Sequence, residues 1–314
     1  MQLRLIMTAR GASLSGLLSL ALLVFPACQG MRGLNAAPGP GSEAELTLTR
    51  IVASLEMHLH EDTYRLGRPR TPDGRDVYAV ALWQLDRLAH ERARSADRWE
   101  NVDIVIEFAR ARALERQRRF AEAAEAYEAV AQAGSFLAGP ADSAARVMRR
   151  FAESCGSLSS PLPIARELDA LESCVGRWRE LSWRYRRSTY APLVLEQLEA
   201  WEMLRVDRIA RSRSLEEALQ AAAGLVERHR DSSLYARHLI RLGDLYALAA
   251  RRERLRAHAG VNPFDSSRYE SLIDQAFAAY ELAGEQRQPT LRQQAETKIA
   301  ALLAYHQGML SDAR

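Results

Sequence analysis

The chain has 314 residues, of which 47% are hydrophobic and 26% charged, and its formal net charge is +3. This balance excludes a disordered or fibrous chain. A charge so near zero, with Arg interleaved among Glu rather than gathered in a stripe, excludes the electrostatic footprint of a nucleic-acid binder. Only Lys298 is lysine, and the 11 Pro fall at boundaries rather than inside periodic segments, as helices require.

Arg4 and Arg10 precede the apolar run Leu14–Phe25, and Pro26-Ala27-Cys28 follows at once. A basic segment before an apolar run of this length predicts a secretory signal, too short to span a membrane as a helix. Ala27-Cys28 resembles the cleavage box of bacterial lipoproteins. That resemblance implies a signal over 1–27 and a lipidated Cys28 as the new N-terminus. The alternative is ordinary secretion with Cys28 incidental, which requires a cut after Phe25-Pro26-Ala27, a poor small-x-small site. Residues 28–44, rich in Gly, Pro and small side chains, read as a flexible tether. Once Cys28 is set aside, Cys155 and Cys174 remain. In an exported chain they are expected to pair, the alternative being two buried thiols.

From 45 to 310 one amphipathic helix follows another, with no sustained alternation of period two, so an all-α domain is expected. Helices are predicted over Leu46–Leu59, Val77–Arg94, Asn101–Arg118 and Phe120–Ala133, with a loop at Tyr64–Arg75 that carries Gly67, Pro69, Pro72 and Gly74. Four later segments share an apolar signature at i, i+3, i+7 and i+10, one face of a helix. They are Phe120/Ala123/Tyr127/Val130, Leu171/Cys174/Trp178/Leu181, Leu215/Ala218/Ala222/Leu225 and Ile273/Ala276/Tyr280/Ala283. Trp83, Trp99, Trp178, Trp183 and Trp201 are read as core residues.

The chain also repeats itself. Leu181, Ser188, Leu195 and Leu198 recur 44 positions on as Leu225, Ser232, Leu239 and Leu242. A period of this size marks a helical array. Leu242-Gly243 with Tyr246, and Phe120, Ala123, Tyr127 and Ala131, resemble the first and second helices of the tetratricopeptide repeat. Glu199 stands where that family has a small residue. The spacers YRRSTYA and HRDSSLYA are similar to those of periplasmic lipoproteins in outer-membrane β-barrel assembly and Tol-Pal systems, with Arg186 and Arg230 where those linkers carry Pro. The resemblance implies an irregular TPR-like helical-hairpin solenoid whose concave face binds a partner segment. The groove positions it implies are Arg112, Glu115, Arg116, Glu196, Arg237 and Asp244.

No constellation for catalysis stands out. His58 and His60 lie two apart and point to different sides of a helix, so no metal site is expected there. There is no phosphate loop, no G-x-S-x-G or S-x-x-K, and Cys155 and Cys174 are not C-x-x-C. The expectation is a non-enzymatic protein without cofactor or metal. It would be lipid-anchored on the periplasmic side of the bacterial envelope, at the outer membrane as that resemblance implies, touching the membrane through its anchor alone and holding another envelope protein. The alternative is a ligand-binding accessory lipoprotein for a transporter or for cell-wall polymer.

Overall fold

The structure, a computed structural model, describes residues 40–93, 102–155, 164–212, 214–258 and 263–312. Cys28, Trp99 and the signal segment lie outside them. Among the described residues there are eleven helices and no strands. In chain order they are α1 (Pro40–Glu61), α2 (Val77–Ala93), α3 (Val102–Arg116), α4 (Phe120–Gln132), α5 (Ala138–Glu153), α6 (Ile164–Tyr185), α7 (Ala191–Ser212), α8 (Leu215–Arg228), α9 (Tyr235–His258), α10 (Ser266–Gly284) and α11 (Pro289–Asp312). The fold is all-α. Consecutive helices pack on one another in hairpins for most of the chain. No helix among the described residues is long and apolar enough to cross a membrane.

The predicted apolar faces form the core. Every residue of the four signatures is buried except Leu215, which is partly so. Small second residues bring helices together, and large third residues such as Tyr127, Trp178 and Tyr280 fill the space between them. Helix α1 starts earlier than expected, at Pro40, inside the predicted tether. Proline suits a first helical position, and Glu43 places an acid in the first turn. The Arg251–Arg256 run is a helical continuation of α9.

Local chemistry sets the remaining boundaries. Ser214 caps α8 by accepting from the Glu217 amide at 3.1 Å, with Glu217 at the return position of a capping box. Asp265 caps α10 through the Arg268 amide at 3.0 Å. The 44-residue repeat appears as one turn made twice. Ser188 Oγ accepts from the Tyr190 amide at 3.2 Å, and Ser232 Oγ accepts from the Leu234 amide at 3.0 Å. Each serine carbonyl then accepts from the first residue of the next helix, Ala191 or Tyr235. Ser135 makes the same turn before α5, with Leu137 and Ala138 as donors. This third copy escapes a search at period 44, because it lies farther from Ser188 than Ser188 does from Ser232.

Cys155, in the turn after α5, meets Cys174 of α6 with Cα atoms 5.2 Å apart, inside the span that a disulfide needs. The chain therefore does fold back after α5. Trp178 Nε1 points at Cys155 Sγ at 3.1 Å. Closing a loop of 19 residues should stabilise by about 3 kcal/mol in the chain-entropy model. The expected result is a melting transition that falls on reduction, with two thiols alkylated only after reductant. Two thiols alkylated at Cys155 and Cys174 in the untreated protein would reject the bridge.

Two tryptophans depart from the expected core role. Trp83 and Trp183 are 61% and 68% exposed, each near a guanidinium one helical turn or less away, Arg87 and Arg186. A tryptophan at helical spacing fits either face, and here the arginines cover the outward one. Trp178 is buried as expected.

Candidate functional site

The six groove positions have different fates. Arg112 on α3 pairs with Glu56 of α1 at 3.3 Å. Glu115 is buried and accepts from the Tyr127 hydroxyl at 2.8 Å. Arg116 is buried too, 3.6 Å from both Asp62 and Glu115. Glu196 on α7 pairs with Arg118. Asp244 on α9 pairs with Lys298 of α11 at 2.8 Å and accepts from the Tyr280 hydroxyl at 2.7 Å. Only Arg237 is exposed, with no ion pair among the described residues. Glu115 and Arg116 are thus interior partners and do not line an open groove. Helix spacing shows which residues share a face, but not whether another part of the chain covers that face.

At Arg116 the cover is the segment between α1 and α2. Residues 62–76 contain two isolated β-bridges, Thr63 with Gly67 and Arg70 with Asp76. Gly67 and Gly74 take positive φ, at 77° and 83°, which tight returns of this kind demand. Asp62 is buried, accepting from the Tyr78 hydroxyl at 2.9 Å. The segment then reaches the turn between α8 and α9, more than 160 residues away. The Ser233 amide donates to the Tyr64 carbonyl at 3.0 Å, the Tyr64 hydroxyl meets His229 Nδ1, and Arg65 pairs with Asp231 at 3.1 Å.

Beneath it lies a row of carboxylates on one face of α7: Glu196, Glu199 and Glu202. The last two are almost wholly buried. Glu199, the departure from the small-residue pattern, faces His238 Nε2 at 2.6 Å. Glu202 takes hydrogen bonds from Arg179 at 2.6 Å, Arg228 at 3.0 Å and His229 Nε2 at 3.0 Å. Buried charge is tolerated only when matched in this way. Burial works to raise the Glu202 carboxyl, but hydrogen bonds from His229 and Arg179 and the Arg228 charge outweigh it and hold it at about 2. Arg118, beside Glu196, is the one non-glycine residue at positive φ among those described (68°). Burial, and then the nearby Arg68 charge, push its guanidinium down to about 9. Its pairing with Glu196 and its hydrogen bond to the Arg116 carbonyl hold this strained turn between α3 and α4.

Tyr64, His229 and Glu202 form a hydrogen-bonded line that has the outline of a nucleophile-activating relay. The chemistry runs the other way. Burial, and then the charge of Glu199, push the Tyr64 phenol well above its usual range, whereas a phenolate nucleophile needs it lowered. The line serves to fasten the loop. No group of three or more His, Cys, Asp or Glu capable of holding a metal occurs among the described residues.

Two other features remain at least partly accessible. Arg237, Arg241, Asp244, Leu248, Arg251 and Leu255 recur every three or four residues along one face of α9, Arg241 being half-buried and paired with Asp207 at 2.6 Å. Leu248 and Leu255 are exposed. Lys298 and Tyr305 of α11 adjoin this face, with Arg251 and Arg254 lying 5.1 and 5.7 Å from the Tyr305 ring centre. The second feature is an open recess lined by Phe120, Phe151, Trp178, Trp201 and Cys155 together with Arg118 and Arg119. Comparison with protein-family models, with curated proteins and with solved structures gives no match to this chain.

Proposed function

We propose that this chain is a non-enzymatic, lipid-anchored scaffold on the periplasmic side of the bacterial envelope, and that it holds another envelope protein through an acidic segment bearing apolar side chains. The single observation carrying the binding half is the face of α9: exposed cations at Arg237 and Arg251 flank or adjoin exposed Leu248 and Leu255, while Arg241 and Lys298 on the same side are already paired with Asp207 and Asp244. The TPR-like pattern, with its Leu242-Gly243 and Phe120–Ala131 signatures, supports the scaffold reading, and the segment ending in Ala27-Cys28 supports the anchor.

The test combines mass spectrometry of the mature N-terminal peptide with cross-linked pull-down from envelope fractions. A lipid-modified peptide beginning at Cys28 is expected. Arg237→Glu with Arg251→Glu should lose capture that the wild type shows, while its melting curve stays within about 0.5 kcal/mol of wild type, as exposed sites allow. Capture that survives both reversals removes the α9 face from the reading. A second reading, an accessory protein for a small ligand or glycan, is favoured by the aromatic recess beside Cys155. It predicts thermal stabilisation by such a molecule that is lost in Trp201→Ala.

A further inference from the structure

The contact between residues 62–70 and the α8–α9 turn joins two distant parts of the chain in the way a peptide joins a receptor. Recognition begins with the phenol. His229 Nε2 faces the Glu202 carboxylate, which can only accept. In the neutral imidazole this places the proton on Nε2 and leaves Nδ1 to accept from the Tyr64 hydroxyl. The Ser233 amide reads the backbone at the Tyr64 carbonyl. Asp231 reads a cation at the next residue, Arg65. Leu66 is 75% exposed and is not read. At Gly67 an added Cβ would stand 3.1 Å from Ser233 Oγ, and φ is +77°, so the next position is restricted to glycine.

The two sides are unequal. The receptor side is held by bonds of its own. Arg179 and Arg228 fix Glu202, the Ser232 turn fixes the backbone, and Gln288 Nε2 donates to the Ser233 carbonyl at 2.8 Å. On the loop side, the Arg65–Asp231 pair has both side chains more than 70% exposed, and an ion pair so exposed contributes little. Asp62 stays held by Tyr78 and Arg116, but beyond it Tyr64 is the main anchor, so the turn at 63–67 can swing off a site that keeps its shape. We propose that this site recognises a partner segment of pattern Tyr-basic-x-Gly folded as a tight turn, and that Tyr64–Gly67, a turn closed by the Leu66 and Gly67 amides on the Thr63 carbonyl, occupies it as the chain's own stand-in. The site is separate from the α9–α11 face, and the inference goes beyond the scaffold reading.

The probe is a capped synthetic hexapeptide of residues 63–68, fluorescently labelled and followed by anisotropy. Tyr64→Ala in the full chain vacates the site and should bind the hexapeptide at least about tenfold more tightly than wild type. The same peptide with Phe for Tyr should bind about tenfold or more weakly, because His229 Nδ1 would be left unpaired in the interior. Adding His229→Ala should abolish the difference between the two peptides. Arg251→Glu should leave hexapeptide binding unchanged, so failure of the α9 reading and failure of this one are distinguishable. A Tyr64→Ala variant that melts cooperatively and binds the hexapeptide no better than a scrambled one would overturn the proposal. Should that variant not fold, wild-type hydrogen exchange decides. Millimolar hexapeptide must speed exchange at 62–70 and leave 229–235 protected, and no change at 62–70 overturns the proposal equally.

Discussion

Gly243→Leu should destabilise the protein by about 3 kcal/mol, at the upper end of what overpacking usually costs. An added Cβ at Gly243 would lie 2.5 Å from Tyr280 Cε1, 2.8 Å from Cδ1 and 2.9 Å from Cζ. The ring has little room to yield. Tyr280 is almost wholly buried in α10, its hydroxyl is tied to Asp244 at 2.7 Å, and Asp244 is itself tied to Lys298. Relief therefore requires α9 and α10 to move apart or the Tyr280–Asp244 bond to break. Gly243→Ala isolates this effect. Alanine should gain about 1 kcal/mol of helix propensity, so a net loss at this position measures the clash alone. Gly176 supplies the control. It lies in the middle of α6, is exposed, and has nothing within 4 Å of an added Cβ. Gly176→Ala should raise stability by up to about 1 kcal/mol. Urea unfolding of the three variants beside wild type checks the set. Equal shifts for Gly243→Ala and Gly176→Ala would mean that the α9–α10 approach is not tight.

That close approach was legible in the sequence, because Leu242-Gly243 and Tyr246 match a pattern whose glycine exists to admit a neighbouring helix. The same holds for the four apolar signatures, since spacing at three and four residues is a local property of one helix. Ser188 and Ser232 were legible as a repeat, and the structure gives their purpose as a shared turn. Charged residues were harder to read. Glu115 and Glu199 have the composition of a surface, and only the fold shows that Tyr127 and His238 meet them inside. The path of residues 62–76 was the least accessible feature. Its proline and glycine content identified a loop, but its docking on Ser233 is a non-local contact with no period to announce it. Glu199 offered one usable signal. A carboxylate where the repeat wants a small residue calls for a buried partner, and a histidine on the next first helix, His238, was available to supply it.

Glu202→Gln should cost about 3 kcal/mol at neutral pH, and the cost should disappear in acid. The native carboxyl is held at about 2 against an ordinary 4.5, since hydrogen bonds from His229 and Arg179 and the Arg228 charge exceed the penalty of burial. Each tenfold change in the proton's affinity corresponds to about 1.4 kcal/mol. Because the folded value is the depressed one, the stabilisation is fully present above the unfolded value and is lost as pH falls from about 4.5 towards 2. The amide of Gln keeps the shape and one acceptor for His229 but removes the charge that Arg179 and Arg228 share. Those two guanidinium groups are partly exposed and can turn to water, which places the loss near the lower end of that for breaking a buried pair. Other carboxylates titrate in the same window, so the informative quantity is the difference between wild type and variant. Urea midpoints at several pH values from 7 to 2 should converge as Glu202 takes its proton. A gap that stays constant to pH 2 would show that the variant acts through packing and that Glu202 is not the ionised centre of the α7 cluster. Since His229 joins Glu202 to Tyr64, the variant should also loosen residues 62–70, which hydrogen exchange at neutral pH would register as faster exchange at the loop than in the helices.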